Sequence, residues 1–342
     1  TAMKVVDAFL EKGLLVELDE TGPAAGAGRK GRLLRFEPGA YRAVGVECEG
    51  RFARVGLADM AGGVQARETI ELGDFARTRD LSPLAAAIRR MCAAANGAPV
   101  LGVCIGFPAN LDPDAAAIVS YAAMDIQQPT SFAQVFPAFW REVELPVYLE
   151  NDANLACEGE AFLRRGAGGA ANMLYLSIGS GCGGAVRLDG KLRRGARCRA
   201  GEVGAMLLQP ALGAPGRSAA RETLEDAVCL AALERRFGAA LRDGAQPGEA
   251  SAQAMRDYLC GPLSGAVYSL VMTLDVELCV LAGIVPGALG MQLCTQVSEA
   301  LRAALPESTP VRVEPSVSAD AGVIGAAATV FERSLDALLG SG

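Results

Sequence analysis

The sequence predicts an α/β chain made of two similar lobes behind a small helix-and-hairpin unit. Three observations predict it. A run of three strands, a helix and a buried strand occupies Ala43 to Ile105, and the same order restarts at Met173. Helix-rich sequence then fills Thr223 to Leu274, and a last helical stretch, Ala319 to Leu339, is placed to return to the first lobe. The first 38 residues stand apart by charge: Lys4, Lys12, Arg29, Lys30, Arg32 and Arg35 balance Asp7, Glu11, Glu17, Asp19, Glu20 and Glu37, so the rest of the chain carries the whole net charge of -7.

The elements follow in order. Met3, Val6 and Leu10 recur at helical spacing, with Val5 and Phe9 widening the stripe, and Gly13 is placed to end that helix. Leu14 to Leu18 reads as a strand, Asp19 to Gly28 as a turn rich in Gly, Pro and Ala, and Arg29 to Phe36 as a returning strand with four cations. A helix followed by a basic hairpin is the back half of a winged helix-turn-helix, in which basic segments hold DNA phosphates beside a helix in the major groove. The plainer alternative is a decoration on an enzyme. A winged module needs at least two earlier helices for its own core, and the chain starts at Thr1, so residues upstream of it are expected. Ala43 to Cys48, Phe52 to Leu57 and Val64 to Ile70 are the first three strands, a helix begins near Leu81, and Val100 to Ile105 is a buried strand. Met173 to Ile178, Gly184 to Leu188 and a strand after Asp189-Gly190 repeat the opening of that plan.

Composition excludes several classes. At 342 residues, 51% hydrophobic and 21% charged, the chain is long enough for two or three packed units. No apolar run reaches the length of a membrane span and the first residues do not resemble a cleaved signal, so the cytoplasm is the expected location. Ten cysteines occur without a Cys-x-Cys or Cys-x-x-Cys pair, which favours reduced structural thiols over disulfides or zinc ligands. The absence of histidine removes the usual general base and the commonest metal ligand together. A net charge of -7 argues against a chain coated in nucleic acid, though not against a small basic element.

Several segments resemble the ROK family of repressors, open reading frames and kinases. They are Val147 to Asn154, Leu176 to Gly184, Ala200 to Ala205, and the Gly28 to Arg32 step that precedes the sensor domain in ROK repressors. The resemblance implies an actin-like ATPase fold of two lobes that close on a ligand across a cleft, here preceded by a partial winged helix-turn-helix. It implies domains at 1–38 (the end of the DNA-binding unit), 39–147 completed by 319–342 (first lobe) and 148–318 (second lobe). It assigns Asn151, Asp152, Glu202 and Glu225 to sugar hydroxyls, Asp152 being the base in active kinases, and Gly106 and Asn110 to a loop that closes over the ligand. Taken alone, Asn151-Asp152 reads as a helix cap and Gly106 to Asn110 as a turn. Carboxylates and amides suit this task because each bridges adjacent hydroxyls in a pocket where unpaired polar groups are costly.

The departures from the family pattern are also informative. Gly179, Ser180, Gly181, Gly183 and Gly184 match its second phosphate-cradling turn, with Ser180 for the usual threonine. Where active relatives carry Asp-x-Gly-Gly-Thr-Lys, this chain reads Glu47 to Phe52; a close-approach glycine becomes Glu49, and the hydroxyl and cation are lost. Ala205 stands for the usual ligand-contacting histidine, and Gln209 to Glu222 lacks the cysteines of the structural zinc site, so no metal and no cofactor are expected. The expectation is a non-enzymatic ROK regulator, a dimer or tetramer without membrane contact. It would sense a sugar or sugar-derived effector and hold operator DNA through Lys4, Arg29, Lys30 and Arg32. The alternatives are a ROK sugar kinase and a ligand-free dimerisation platform.

Overall fold

The computed structural model describes residues 2–21, 32–166, 169–208, 222–238, 241 and 247–340. A helix, Ala2–Glu11, ends at Gly13 (φ +70°) and leads into a two-stranded antiparallel hairpin, β1 (Leu15–Thr21) and β2 (Arg32–Phe36). Of the sequence's apolar stripe, Val6, Phe9 and Leu10 are half-buried but Met3 and Val5 are exposed, as are Leu33, Leu34 and Phe36 on the hairpin. The greater part of the expected turn, Gly22 to Gly28, together with Arg29 and Lys30, lies outside the described residues.

The first lobe is built on β3 (Arg42–Glu49), β4 (Phe52–Asp59) and β5 (Val64–Glu71), which form an antiparallel meander. On the other side of β3 lie β6 (Val100–Phe107) and then β10 (Val147–Asn151), both parallel to their neighbours, giving the order β10-β6-β3-β4-β5. Strand β6 is buried from Gly102 to Phe107, as a parallel strand covered on both faces must be. Val44, Val46 and Cys48 pack with Leu84 and Ile88 of the helix Ser82–Ala94. Ala43 and Cys104 face the opposite way, onto Ala326, Ala327 and Val330 of the helix Ala321–Leu339. A three-stranded insert, β7 (Asn110–Asp112), β8 (Ala117–Ser120) and β9 (Thr130–Ser131), is held by an aromatic cluster in which Phe107 meets Phe75, Tyr121, Phe132 and Phe136 edge-on.

The second lobe repeats the plan. Strands β11 (Met173–Ile178), β12 (Cys182–Leu188) and β13 (Lys191–Leu192) are antiparallel, while β14 (Leu278–Ala282) and β15 (Arg312–Pro315) add in parallel beyond β11. Helices Glu249–Leu274 and Met291–Ala304 supply most of its core against Leu174, Leu176 and Cys279.

The chain crosses between the lobes twice, side by side. The helix Asp152–Leu163 leaves β10 for β11, and Ala321–Leu339 returns from β15 to cover the first sheet. A boundary at 147/148 therefore cuts into β10, whose five residues pair with β6; the crossing begins after Asn151. The two crossing helices touch backbone to backbone. A Cβ on Gly159 would lie 1.8 Å from the Ala321 carbonyl oxygen, and one on Gly325 would lie 1.9 Å from that of Leu155. Below this contact the fully buried Glu160 accepts from Arg164 Nε (2.9 Å), the Val317 N–H (3.0 Å) and the Ser316 hydroxyl. Arg164 also pairs with Glu314 and donates to the Pro315 carbonyl at 2.9 Å. No helix among the described residues is long and apolar enough to cross a membrane.

Candidate functional site

A cleft of about 1160 Å³ separates the lobes, and both glycine-containing turns open onto it. In the first turn β3 ends at Glu49, Gly50 (φ +58°) and Arg51 reverse the chain, and Phe52 begins β4 opposite Glu49. This register sets Glu47 opposite Arg54, on the same face. Arg54 donates to Glu47 at 2.9 and 3.1 Å and lies 3.6 Å from Glu49, while Arg51 turns outward to Glu71 at 3.1 Å. Burial pushes the Glu47 carboxyl up to about 7 despite Arg54, with Glu49 and Asp152 adding to the rise. The Glu49 carboxylate reaches across the gap: a Cβ on Gly179 would meet its Oε1 at 3.2 Å.

The second turn joins β11 to β12. The Gly179 N–H donates to the Gly181 carbonyl at 2.9 Å, and the Cys182 N–H donates to Glu225 Oε2 at 2.8 Å. Glu225 comes from the short helix Leu224–Val228, fixed at its start by a capping box between Thr223 and Asp226. Its carboxylate thus sits on the turn, 2.8 Å from where a Gly181 Cβ would be. Gly179, Ser180, Gly181 and Gly183 line the cleft; Gly184 does not. A Cβ on Gly184 would press on Val203 Cγ2 at 2.5 Å and on the Gly201 carbonyl at 2.9 Å, so its smallness admits the segment that carries Glu202.

The other half of the cleft gathers Asn151, Asp152, Asn110 and Glu202. Asn151 is the helix cap that its position suggested: its Oδ1 accepts from the Asn154 N–H (3.1 Å), and its Nδ2 donates to the Ala109 carbonyl (3.3 Å), tying the loop after β6 to the crossing helix. Asp152 accepts from the Ala153 N–H at 2.9 Å. Burial raises its carboxyl to about 6; the Ala153 hydrogen bond opposes the rise and Glu49 and Glu202 add to it. The Asn110 amide is oriented so that Nδ2 donates to Glu202 Oε1 (2.7 Å) and the Cys198 carbonyl (3.1 Å), while Oδ1 accepts from the Ser120 hydroxyl (3.1 Å). Glu202 is shifted upward by desolvation, with Arg199 working against the shift and Glu225 reinforcing it. Gly106 lies inside β6 and does not line the cleft; a Cβ there would meet the Val46 carbonyl at 3.1 Å and Asp152 Cα at 3.3 Å, so it gives Asp152 room rather than touching a ligand. Ala205 likewise ends a turn away from the cleft lining.

Some of these groups were not legible from single positions. Arg54 is a lone cation in an apolar strand, and pairing it with Glu47 required the hairpin register. Buried Glu150, which receives Arg194 at 2.6 Å and the Asn154 amide at 2.9 Å, joins residues of both lobes. Arg199 and Ser120, 3.3 Å apart across the cleft mouth, gave no local signal. Of the residues expected to meet DNA, Lys4 is exposed on the first helix, Arg32 pairs with Glu17 across the hairpin, and Arg29 and Lys30 are not described; Gln209 to Arg221, the segment compared with the family's zinc site, is also outside the described residues. Among the described residues no cluster of three or more His, Cys, Asp or Glu is placed to hold a metal ion.

Two repeated lobes, two facing turns and a carboxylate-amide pocket define an actin-like fold of the sugar-kinase type. Residues 43–333 match the model of the ROK family, and the chain belongs to that family. It is 34% identical to the glucokinase of Halalkalibacterium halodurans over 141 residues, 39% of this chain and 40% of that protein. It is 27% identical to the xylose repressor of Caldicellulosiruptor bescii over 208 residues, 60% of this chain and 50% of that protein. The chain thus spans half or less of the length of these curated relatives. The crystal structure of a ROK family transcriptional regulator, a homologue of the E. coli MLC protein, superimposes with a TM-score of 0.75 at 17% identity, covering 98% of this chain and 89% of that one.

Proposed function

We propose that this chain is a ROK transcriptional regulator, a repressor whose kinase-derived lobes bind a sugar or sugar-derived effector in the cleft without phosphorylating it. The observation that carries the reading is the Glu47–Arg54–Glu49 cluster. It fills the first turn with two carboxylates and one already paired cation, and it lays Glu49 against Gly179 of the second turn. Triphosphate would meet negative charge at the place where a kinase supplies N–H groups and a free cation. The effector half keeps its polar groups, Asp152, Glu202 and Asn110, around one volume, while Glu225, expected from the resemblance to meet sugar hydroxyls, lies on the second turn instead. The two side-by-side crossings supply a hinge through which occupancy of the cleft would move the lobes.

The N-terminal helix and hairpin are the DNA-directed part of this reading, with Lys4, Arg29, Lys30 and Arg32 as phosphate contacts and a dimer or tetramer placing paired modules on an operator. Binding should fall steeply with salt, and neutralising Arg29, Lys30 and Arg32 should weaken all sequences alike.

The kinase reading is favoured by one feature, the Asp152 carboxyl raised to about 6 at the start of the crossing helix, which suits a general base near neutral pH. The two readings separate in one assay. Incubation with ATP, magnesium and a panel of hexoses and N-acetylhexosamines should give no sugar phosphate above a sugar-free control. Turnover that disappears in Asp152→Asn would replace the sensor reading with the kinase one.

A further inference from the structure

Strand β11 carries different chemistry on its two faces. Leu174, Leu176 and Ile178 join the core of the second lobe, while Tyr175 and Ser177, two residues apart on the other face, line the cleft. Tyr175 is only 4% exposed, clustered with Ala153 and Ala156 of the crossing helix and Ala282 at the end of β14. Among the described residues neither its phenol nor the Ser177 hydroxyl has a hydrogen-bond partner. A buried phenol ordinarily finds one, so the open cleft is where its partner would come from. Burial, then the carboxylates of Glu47, Glu160 and Asp152, hold the Tyr175 proton on well above the ordinary phenol range. The group therefore stays a donor as well as an acceptor.

The rest of this half of the cleft, where a kinase would hold its nucleotide, suits a neutral ring. Glu47, Arg54 and Glu49 set acceptors beside a donor, and adjacent hydroxyls can answer both. Ile284 and Pro286 of the helix Ile284–Leu289, with Pro315 at the end of β15, add an apolar wall. Gly283 keeps that wall close to β11, since a Cβ there would lie 2.5 Å from the Ile178 carbonyl oxygen. A pyranose has the matching chemistry, with hydroxyls around its rim and C–H groups on its faces. Asp152 belongs to both halves: its carboxyl is raised by burial and then by Glu49 from one side and Glu202 from the other. The whole cleft, about 1160 Å³, is larger than a drug-sized ligand usually occupies, so one hexose at Asp152 and Glu202 would leave much of it to water.

We infer that this half is a second glycosyl subsite, in which Tyr175 and Ser177 hydrogen-bond to ring hydroxyls, and that the effector is a neutral disaccharide spanning both halves. The inference deepens the reading of the cleft as an effector site and rests on it.

Calorimetric titration of the whole chain, beside Tyr175→Phe and Ser177→Ala, tests this. The probes are glucose, galactose and N-acetylglucosamine; maltose, cellobiose, lactose, trehalose and chitobiose; and phenyl glucoside and adenosine as the apolar and nucleoside arms. A disaccharide should bind on the order of tenfold more tightly than its own monosaccharides, the size of one or two added hydrogen bonds. Tyr175→Phe removes only an oxygen that holds no other described group. It should erase most of that gain while the unfolding midpoint and the monosaccharide affinity hold, and Ser177→Ala should erase part of it. Asp152→Ala should abolish binding of both classes, which reports on the effector site itself. Equal affinity for mono- and disaccharides, or a gain that survives both β11 variants, overturns the second subsite while leaving the effector site standing. An equal or larger gain with phenyl glucoside or adenosine overturns the glycosyl assignment. Binding by no compound in the set overturns both readings.

Discussion

Replacing Gly159 with alanine tests whether the contact between the crossing helices holds the lobes in place. The added methyl would lie 1.8 Å from the Ala321 carbonyl oxygen, 2.7 Å from its carbon and 3.0 Å from the Gly325 nitrogen. All three are backbone atoms, so no side chain can swing aside, and the helices must part by about 1.2 Å to reach the 3.0 Å limit of real Cβ contacts. Overpacking of this kind costs about 1–3 kcal/mol, and the loss of the same contact on the Gly325 side puts Gly159→Ala at the upper end. For a chain of this size, about 3 kcal/mol lowers the midpoint of thermal unfolding by roughly 5 °C. Differential scanning calorimetry reads that shift, and X-ray scattering reads the change in lobe separation that should accompany it. A midpoint within about 1 °C of the parent, with unchanged scattering, would refute the inference that the crossing helices are close-packed backbone to backbone.

The clamp below that contact makes a second prediction. In Glu160→Gln the amide replaces a fully buried carboxylate that serves Arg164, Val317 and Ser316, and breaking such a pair costs about 3 kcal/mol, since Arg164 retains Glu314. Chemical denaturation showing a loss under about 1 kcal/mol would remove Glu160 from the hinge. Stability should also depend on pH. The folded carboxyls of Asp152 and Glu47 are raised to about 6 and about 7, so the unfolded chain gives up these protons first. The stability they contribute is fully present below the ordinary carboxylate range and is lost as pH rises through 6 to 7. Unfolding midpoints measured from pH 5 to 8 should therefore fall, and Asp152→Asn should flatten the lower part of the decline; a profile identical in the variant would show that Asp152 is solvated like a surface carboxylate.

Much of the fold was readable because its signals are local. The three-strand opening of each lobe, the Gly13 stop and the return of the last helix each depend on periodicity or on one turn residue. What was hidden depends on partners far along the chain. Val147 to Asn151 is too short to declare its sheet, and only pairing with Val103 to Phe107 assigns it to the first lobe. The candidate site divides in the same way. The carboxylates of the effector half sit in recognisable segments, and Asn151 at its helix start was legible as a cap. Asn110 meeting Glu202, and Arg199 meeting Ser120, are cross-lobe contacts between residues about 80 to 90 positions apart, which no spacing rule reaches. The glycines of the two turns also split by role only in three dimensions: Gly179 faces a carboxylate across the cleft, whereas Gly184 and Gly106 make room for neighbouring backbone.

The central claim is that the nucleotide half of the cleft is closed to triphosphate by its own charges. Calorimetric titration of the protein with magnesium and a non-hydrolysable ATP analogue measures this most directly, beside a variant in which Glu49→Gly opens the first turn. The account predicts no heat of binding for the parent and measurable binding once Glu49 is removed. Saturable binding by the parent, with a crystal structure showing the β- and γ-phosphates ordered between Glu47 to Arg51 and Gly179 to Gly183, would contradict it.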